Sequence, residues 1–188
     1  MLTRRTLIHR AALAGLAAGI DGPVRADQAA PPAPPEVRAA LPGGGLIGHG
    51  RLRYFGFSLY DASLWALPDF RASAFSSQRF ALSLTYLRAF SAKDLAQRSM
   101  QEIRRVHDVA PDQARVWLSA LQDLLPEVAA GDRITSLHLP GGMAFWHQGR
   151  KIGDMPDAAF ARMFFGIWLA DSTGEPGLRK ALLAGAAP

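Results

Sequence analysis

Residues 80–88 alternate without a break: Phe80, Leu82, Leu84 and Tyr86 fall to one side, and Ala81, Ser83, Thr85 and Leu87 to the other. Successive side chains of a strand point to opposite faces. The segment therefore predicts a sheet with one fully apolar face, in an antiparallel setting, and it demands a cover for that face. The chain behind it supplies one. Ser91-Ala92-Lys93-Asp94 resembles a capping box with Asp at its third position, and Leu95, Ala96, Met100, Ile103 and Val106 follow on one helical face. Pro111 suits the first position of a second helix, with Val116, Trp117, Leu121 and Leu124 as its buried stripe. Pro156 opens a third helix in which Phe160, Met163, Phe164, Ile167 and Trp168 recur at i, i+3, i+4, i+7 and i+8. Pro176 opens a last short helix through Leu182.

Further strands complete the sheet. Residues 51–60 are aromatic-rich and alternate, which reads as one strand. Arg51, Arg53, Phe55, Phe57 and Leu59 then share one face, and Leu52, Tyr54, Gly56, Ser58 and Tyr60 the other. Residues 61–66 bend and continue as a second short strand. Gly131-Asp132 leads into a hairpin of residues 133–139 and 143–147 about a turn at Pro140-Gly141-Gly142, and Gln148-Gly149 begins another reversal. Early strands, central helices, a hairpin and more helices define an α+β domain, with helices packed on one face of an antiparallel sheet. The glycines at 43–45, 48 and 50 lead into a strand rather than a helix, so they do not form a phosphate-binding loop.

The first 26 residues read as a removable export signal. Arg4, Arg5 and Arg10 precede an Ala/Leu/Gly run at residues 11–20, and Val24-Arg25-Ala26 ends in a cleavable small residue. The run is too short to span a bilayer, and Thr3-Arg4-Arg5-Thr6-Leu7-Ile8 resembles a twin-arginine motif. The expected location is the periplasm, with the export machinery and a signal peptidase as transient partners and no membrane anchor after cleavage. The chain carries 21 Lys+Arg against 16 Asp+Glu. Without residues 1–26, which hold four Arg and Asp21, 17 basic and 15 acidic residues remain, net +2. That near-balance excludes a nucleic-acid footprint. Residues 27–42, with Pro31-Pro32-Ala33-Pro34-Pro35, read as an extended linker, and residues 43–188 as one domain.

Several chemistries find no constellation. Cysteine is absent, which removes thiolate nucleophiles, disulfides and zinc–thiolate sites. His49, His107, His138 and His147 are dispersed, and the hairpin pair falls on opposite faces if Leu139 pairs with Met143; no metal or other cofactor is expected. No serine sits in a nucleophile elbow. Asp154 and Asp157 suit helix caps, and Phe164, Phe165 and Trp168 suit core packing.

Seven pieces then occur in one order: Gly48-His49-Gly50-Arg51-Leu52-Arg53-Tyr54-Phe55, Tyr60-Asp61-Ala62-Ser63-Leu64-Trp65, Leu82 to Arg88, Gly131-Asp132-Arg133-Ile134, Phe160-Ala161, Phe164 to Leu169, and Pro176-Gly177-Leu178-Arg179. Together they resemble the bacterial chalcone isomerase-like family. The resemblance implies an open-faced β-sandwich, a curved antiparallel sheet covered on one face by helices, with a ligand cleft between them. In the plant enzymes of that fold an arginine near the first long strand steers a phenolate, and a tyrosine and an asparagine at the start of the helix after the central strand complete the cleft. Here Leu95 and Glu102 take those two places, and no Tyr or Asn lies between Arg88 and Pro111. Thr173 echoes a hydroxyl residue of the enzymes.

Fatty-acid-binding relatives of the fold hold a carboxylate with an arginine and a tyrosine, a charge-assisted contact plus a hydroxyl donor. The corresponding candidates are Arg53 or Arg51 with Tyr86 or Tyr54. The leading expectation is binding of a small amphipathic carboxylate, such as a fatty acid, without turnover. A second is an isomerase or intramolecular lyase acting on an unsaturated or phenolic substrate, with Arg53 and Thr85 or Tyr86. A third is a periplasmic scaffold with a filled cleft. No residue is assigned a catalytic role.

Overall fold

A computed structural model describes residues 30–187. Residues 1–26, read as the export signal, lie outside them, as do the first three residues of the linker. Six strands form one antiparallel sheet in sequential order: β1 (Gly45–Tyr54), β2 (Phe57–Ala66), β3 (Phe80–Tyr86), β4 (Arg133–Leu139), β5 (Gly142–His147) and β6 (Arg150–Met155). Six helices complete the described residues. They are α1 (Pro35–Ala40), a 3-10 helix (Ala72–Ser77), α2 (Ala92–Val106), α3 (Pro111–Leu124), α4 (Ala158–Leu169) and α5 (Pro176–Leu182). The expected α+β class is the observed one.

The alternation of β3 sorts the two faces. Phe80, Leu82, Leu84 and Tyr86 enter the main core with Ala96, Met100 and Ile103 of α2, Trp117 and Leu121 of α3, and Phe160, Phe164, Phe165 and Trp168 of α4. Ala81 faces the other way and joins Val37, Leu41, Trp65 and Leu137 in a smaller cluster beneath α1. The caps are those the sequence suggests: Ser91 Oγ accepts from the Asp94 amide at 3.1 Å, and Asp157 accepts from the Phe160 amide at 2.9 Å. Asp154 instead pairs with Lys151 at 2.8 Å.

Four expectations change. Residues 51–60 are not one strand, because the chain reverses at Phe55-Gly56, where both residues have positive φ (46° and 80°). That is the backbone of a tight two-residue hairpin, and aromatic alternation on either side concealed it. The second half of the supposed linker forms α1 and its C-cap, where Val37 and Leu41 are 4% and 3% exposed. A proline at the helix start ends the extended run and is compatible with helix. The buried stripe of α3 contains Ala114 and leaves Val116 exposed. Finally, the β4–β5 turn is two residues long, pairing Leu139 with Gly142 and His138 with Met143. A one-residue shift flips faces, so His138 and His147 both turn toward the helices, at opposite ends of the hairpin.

The Gly48-His49-Gly50 motif has a packing role. A Cβ on Gly48 would lie 2.2 Å from the Ala181 carbonyl oxygen, and one on Gly50 would lie 2.9 Å from Leu178 Cδ1. Helix α5 therefore rests directly on the β1 backbone.

Candidate ligand-binding site

Strand parity divides the arginines from the tyrosines. Arg51 lies opposite Asp61, and Asp61 opposite Thr85, which lies opposite Arg133. All belong to the face turned away from α2 and α4. Arg51 donates from Nε and Nη2 to the two carboxylate oxygens of Asp61, at 2.6 and 2.8 Å, and this pairing raises its pKa. Arg53 follows on the same side of β1 and is exposed. One register row inward, Ser83 and Thr135 hydroxyls lie 3.1 Å apart, and Thr135 donates to Glu36 Oε1 of α1 at 2.7 Å. Arg133 Nε reaches the same oxygen at 3.3 Å. Glu36 is 7% exposed, and its second carboxylate oxygen has no partner among the described residues.

The helix-covered side of the same sheet end is aromatic. Leu52, Tyr60 and Tyr86 lie abreast across β1, β2 and β3. The two phenol rings meet edge to face at 6.0 Å, and Tyr86 meets Phe90 at 5.7 Å. Trp168 Nε1–H donates to Tyr60 Oη at 2.9 Å, so the phenol proton of Tyr60 is left to give. No hydrogen bond engages the Tyr86 hydroxyl among the described residues, although that side chain is almost wholly buried. Burial pushes both phenols above the ordinary tyrosine range; for Tyr60 the Trp168 hydrogen bond opposes the rise. Both remain neutral donors.

A cation stands at the rim of this row, on α2 rather than β1. Arg98 sits over the Tyr54 ring, 5.8 Å from its centroid, and pairs with Glu102 at 2.7 Å. Glu102 also holds Arg105 at 3.0 Å, which donates in turn to the Ser172 carbonyl at 3.0 Å. The charges of Arg98, Glu102 and Glu175 all act on the Tyr60 phenol.

The proposed set Arg51, Arg53, Tyr54, Thr85 and Tyr86 is thus split. Arg51, Arg53 and Thr85 occupy the outer face, and Tyr54 and Tyr86 the inner one, so neither arginine stands beside Tyr86. Sequence reasoning passed over Tyr60 and Arg98. The parity of residues 51–60 already set Tyr60 apart from the arginines, and the i, i+4 spacing of Arg98 and Glu102 marked an ordered ion pair. Thr173 donates to the Ile167 carbonyl at 2.6 Å and accepts from the Glu175 amide at 3.1 Å, which ties α4 to α5.

Between sheet and helices the space is filled. Phe80, Phe145, Phe160 and Phe165 are all 0% exposed. A depression of about 170 Å³ lies between Leu67, Phe70 and Arg79, and an open one of about 380 Å³ runs along Arg104 to Val109. Neither is lined by Tyr60 or Tyr86.

This architecture has known counterparts. The profile of the chalcone isomerase-like family matches residues 45–184. The chain belongs to that family. Among solved structures, a fatty-acid binding protein of Arabidopsis thaliana superimposes with a TM-score of 0.60 at 13% identity, over 77% of this chain and 89% of that one. At that identity the likeness is one of fold. No curated protein matches the sequence. This chalcone isomerase-like chain carries the sheet and its helical cover, while α2 presents Leu95, packed against the core, and Glu102, tied to two arginines.

Proposed function

We propose that this chalcone isomerase-like protein binds a small amphipathic carboxylate, of the fatty-acid kind, without chemical turnover. The observation that carries the reading is the Tyr60–Tyr86 row: two neutral phenols with donor capacity left over, in an apolar setting, with Arg98 at the rim. The Tyr86 hydroxyl has no partner among the described residues and is not sealed from solvent, so it can offer its proton to a carboxylate oxygen. Arg98 supplies the charge-assisted contact on exchanging Glu102 for the ligand. The acyl chain follows the apolar face of β3 after side chains now filling the interior move aside. A fold shared with a fatty-acid binding protein supports this assignment.

The packed interior favours a second reading, an accessory protein whose cleft is closed. One titration separates them: native mass spectrometry of the protein with added long-chain fatty acid and with the matching alcohol. The binding reading expects uptake of the acid, weakened about ten- to a hundredfold in Tyr86→Phe and Arg98→Gln, and unchanged in Arg53→Gln. No uptake by the unaltered protein leaves the accessory role. The residues of α2 lend no support to an isomerase. We also propose that the protein works in the periplasm, on the strength of the basic, apolar and small-residue sequence of residues 1–26.

A further inference from the structure

The β1–β2 turn exposes what most hairpins hide. Tyr54, Phe55 and Phe57 are 48%, 84% and 58% exposed, contiguous at the extreme end of the sheet. Phe55 adopts φ 46°, a conformation that asparagine or glycine enters readily and a bulky residue does not. A two-residue turn needs no aromatic at that position, so neither turn geometry nor core packing accounts for Phe55. The tip is also ringed by arginines. The Arg88 guanidinium lies 4.8 Å from the Phe57 ring centroid and that of Arg98 lies 5.8 Å from Tyr54, while Arg53 is exposed on the strand itself. Arg53 and Arg88 form no ion pair among the described residues, whereas Asp61 and Glu102, two carboxylates close by in the fold, are already engaged.

We propose that this hairpin tip is a peripheral docking element for an anionic lipid surface. Aromatic rings settle at the headgroup boundary, and guanidinium groups around them pair with lipid phosphates. The charge complementarity selects an anionic bilayer over a neutral one. Among the described residues no helix is long and apolar enough to cross a membrane, so the contact is superficial. The tip lies at the same sheet end as Tyr60 and Tyr86, which would bring a bilayer-borne ligand to the row. The docking itself stands without the ligand assignment.

The absence of cysteine permits a local test. Ser58→Cys, labelled with an environment-sensitive nitrobenzoxadiazole dye, reports at the tip of the full chain. Ser77→Cys, beyond the opposite end of β2, is the control. With phosphatidylglycerol vesicles the Ser58 label is expected to brighten severalfold and shift to the blue, the Ser77 label to stay unchanged, and phosphatidylcholine vesicles to have no effect. Phe55→Ser with Phe57→Ser should abolish the response, and so should raising the salt to about 1 M, where the Debye length falls to about 3 Å. No change at the Ser58 label with anionic vesicles overturns the proposal, even if the protein co-sediments through another segment. An equal response to neutral vesicles, or one that grows with protein concentration alone, overturns it in favour of simple hydrophobic adhesion or self-association.

Discussion

The two faces of the sheet solve the burial problem differently. The inner face presents large aromatic and aliphatic side chains to four helices, and Phe80, Phe145, Phe160 and Phe165 are sealed within it. Among the described residues the outer face has one short helix, α1, over Trp65, Ala81 and Leu137, and beside that patch it buries polar groups: Ser83, Thr135 and the Glu36 carboxylate. Inside, stability derives from apolar area and packing. Outside, it depends on whether each buried oxygen has a partner. The same strands carry both solutions because their side chains alternate, which is also why arginines and tyrosines adjacent in sequence end up on opposite faces.

If that contrast is right, truncation inside should be the more costly change. Phe165→Ala removes a ring in contact distance of Phe80 (4.7 Å between centroids), Phe164 and His138. It should destabilise the protein by about 3–5 kcal/mol in urea or guanidinium unfolding. Glu36→Ala, on the outer face, should cost about 1–3 kcal/mol, because the Thr135 hydroxyl loses its acceptor in a buried setting. A double-mutant cycle with Thr135→Val should recover most of that loss as coupling. Additive behaviour of the two changes would break the comparison, by showing that the outer network is incidental.

How much of this was legible depended on which signal each residue carried. The inner face was readable from β3 and α4, where period 2 and period 3.6 are both explicit in Phe80 to Tyr86 and Phe160 to Trp168. The outer face was not. Helix α1 is six residues long, and its opening Pro35 is preceded by a proline-rich run, so composition suggested linker. Nothing local signals that Glu36 will meet Thr135, 99 positions away. The site fell between the two. Tyr86 was found, but the hairpin at Phe55-Gly56 lacked the usual Asn-Gly signature. Without it the register pairing of Tyr60 with Tyr86, and the separation of Arg51 and Arg53 from Tyr86, stayed out of view.

The tip of that hairpin sharpens the comparison at a place that belongs to neither face. Phe55→Asn should raise stability by about 0.5–1 kcal/mol, since asparagine tolerates the left-handed backbone that phenylalanine occupies at a cost. A rise measured by thermal unfolding would mean that the exposed aromatic is retained against stability. A fall would mean the ring holds Tyr54, which it meets edge-on at 4.5 Å, and contributes to the fold.

His138 tests the inner face through pH. Its Nδ1 lies 2.7 Å from the Gln78 carbonyl, and its ring stacks on Phe80 at 5.0 Å. Burial lowers its pKa below the ordinary 6.5, with the Gln78 contact opposing. Between the folded value and 6.5 the unfolded chain binds the proton more readily. Stability is therefore full above about 6.5 and falls as pH drops toward the folded value. His107, whose pKa is also lowered by desolvation and then by Arg162, acts in the same direction. His138→Gln should flatten the stability profile between about pH 7 and pH 5, leaving a residual slope from His107. An unchanged slope would assign the effect to His107 and show that His138 does not carry it.

The smallest expected effect is the most direct check on the outer face. Arg51 and Asp61 form a two-point ion pair in register across β1 and β2, but their side chains are 31% and 37% exposed. Pairs that open to solvent couple by about 0.2–1 kcal/mol, and salt screens them. A cycle of Arg51→Met and Asp61→Leu should thus give a coupling at or below the upper end of that range, shrinking as salt is added. Neither change should affect fatty-acid uptake, because both residues face away from Tyr60 and Tyr86. Loss of uptake in Arg51→Met with stability retained would place the carboxylate on the outer face. That outcome would transfer the ligand assignment to the polar row of Arg51, Thr85 and Arg133, and would make the inner aromatic row a matter of packing alone.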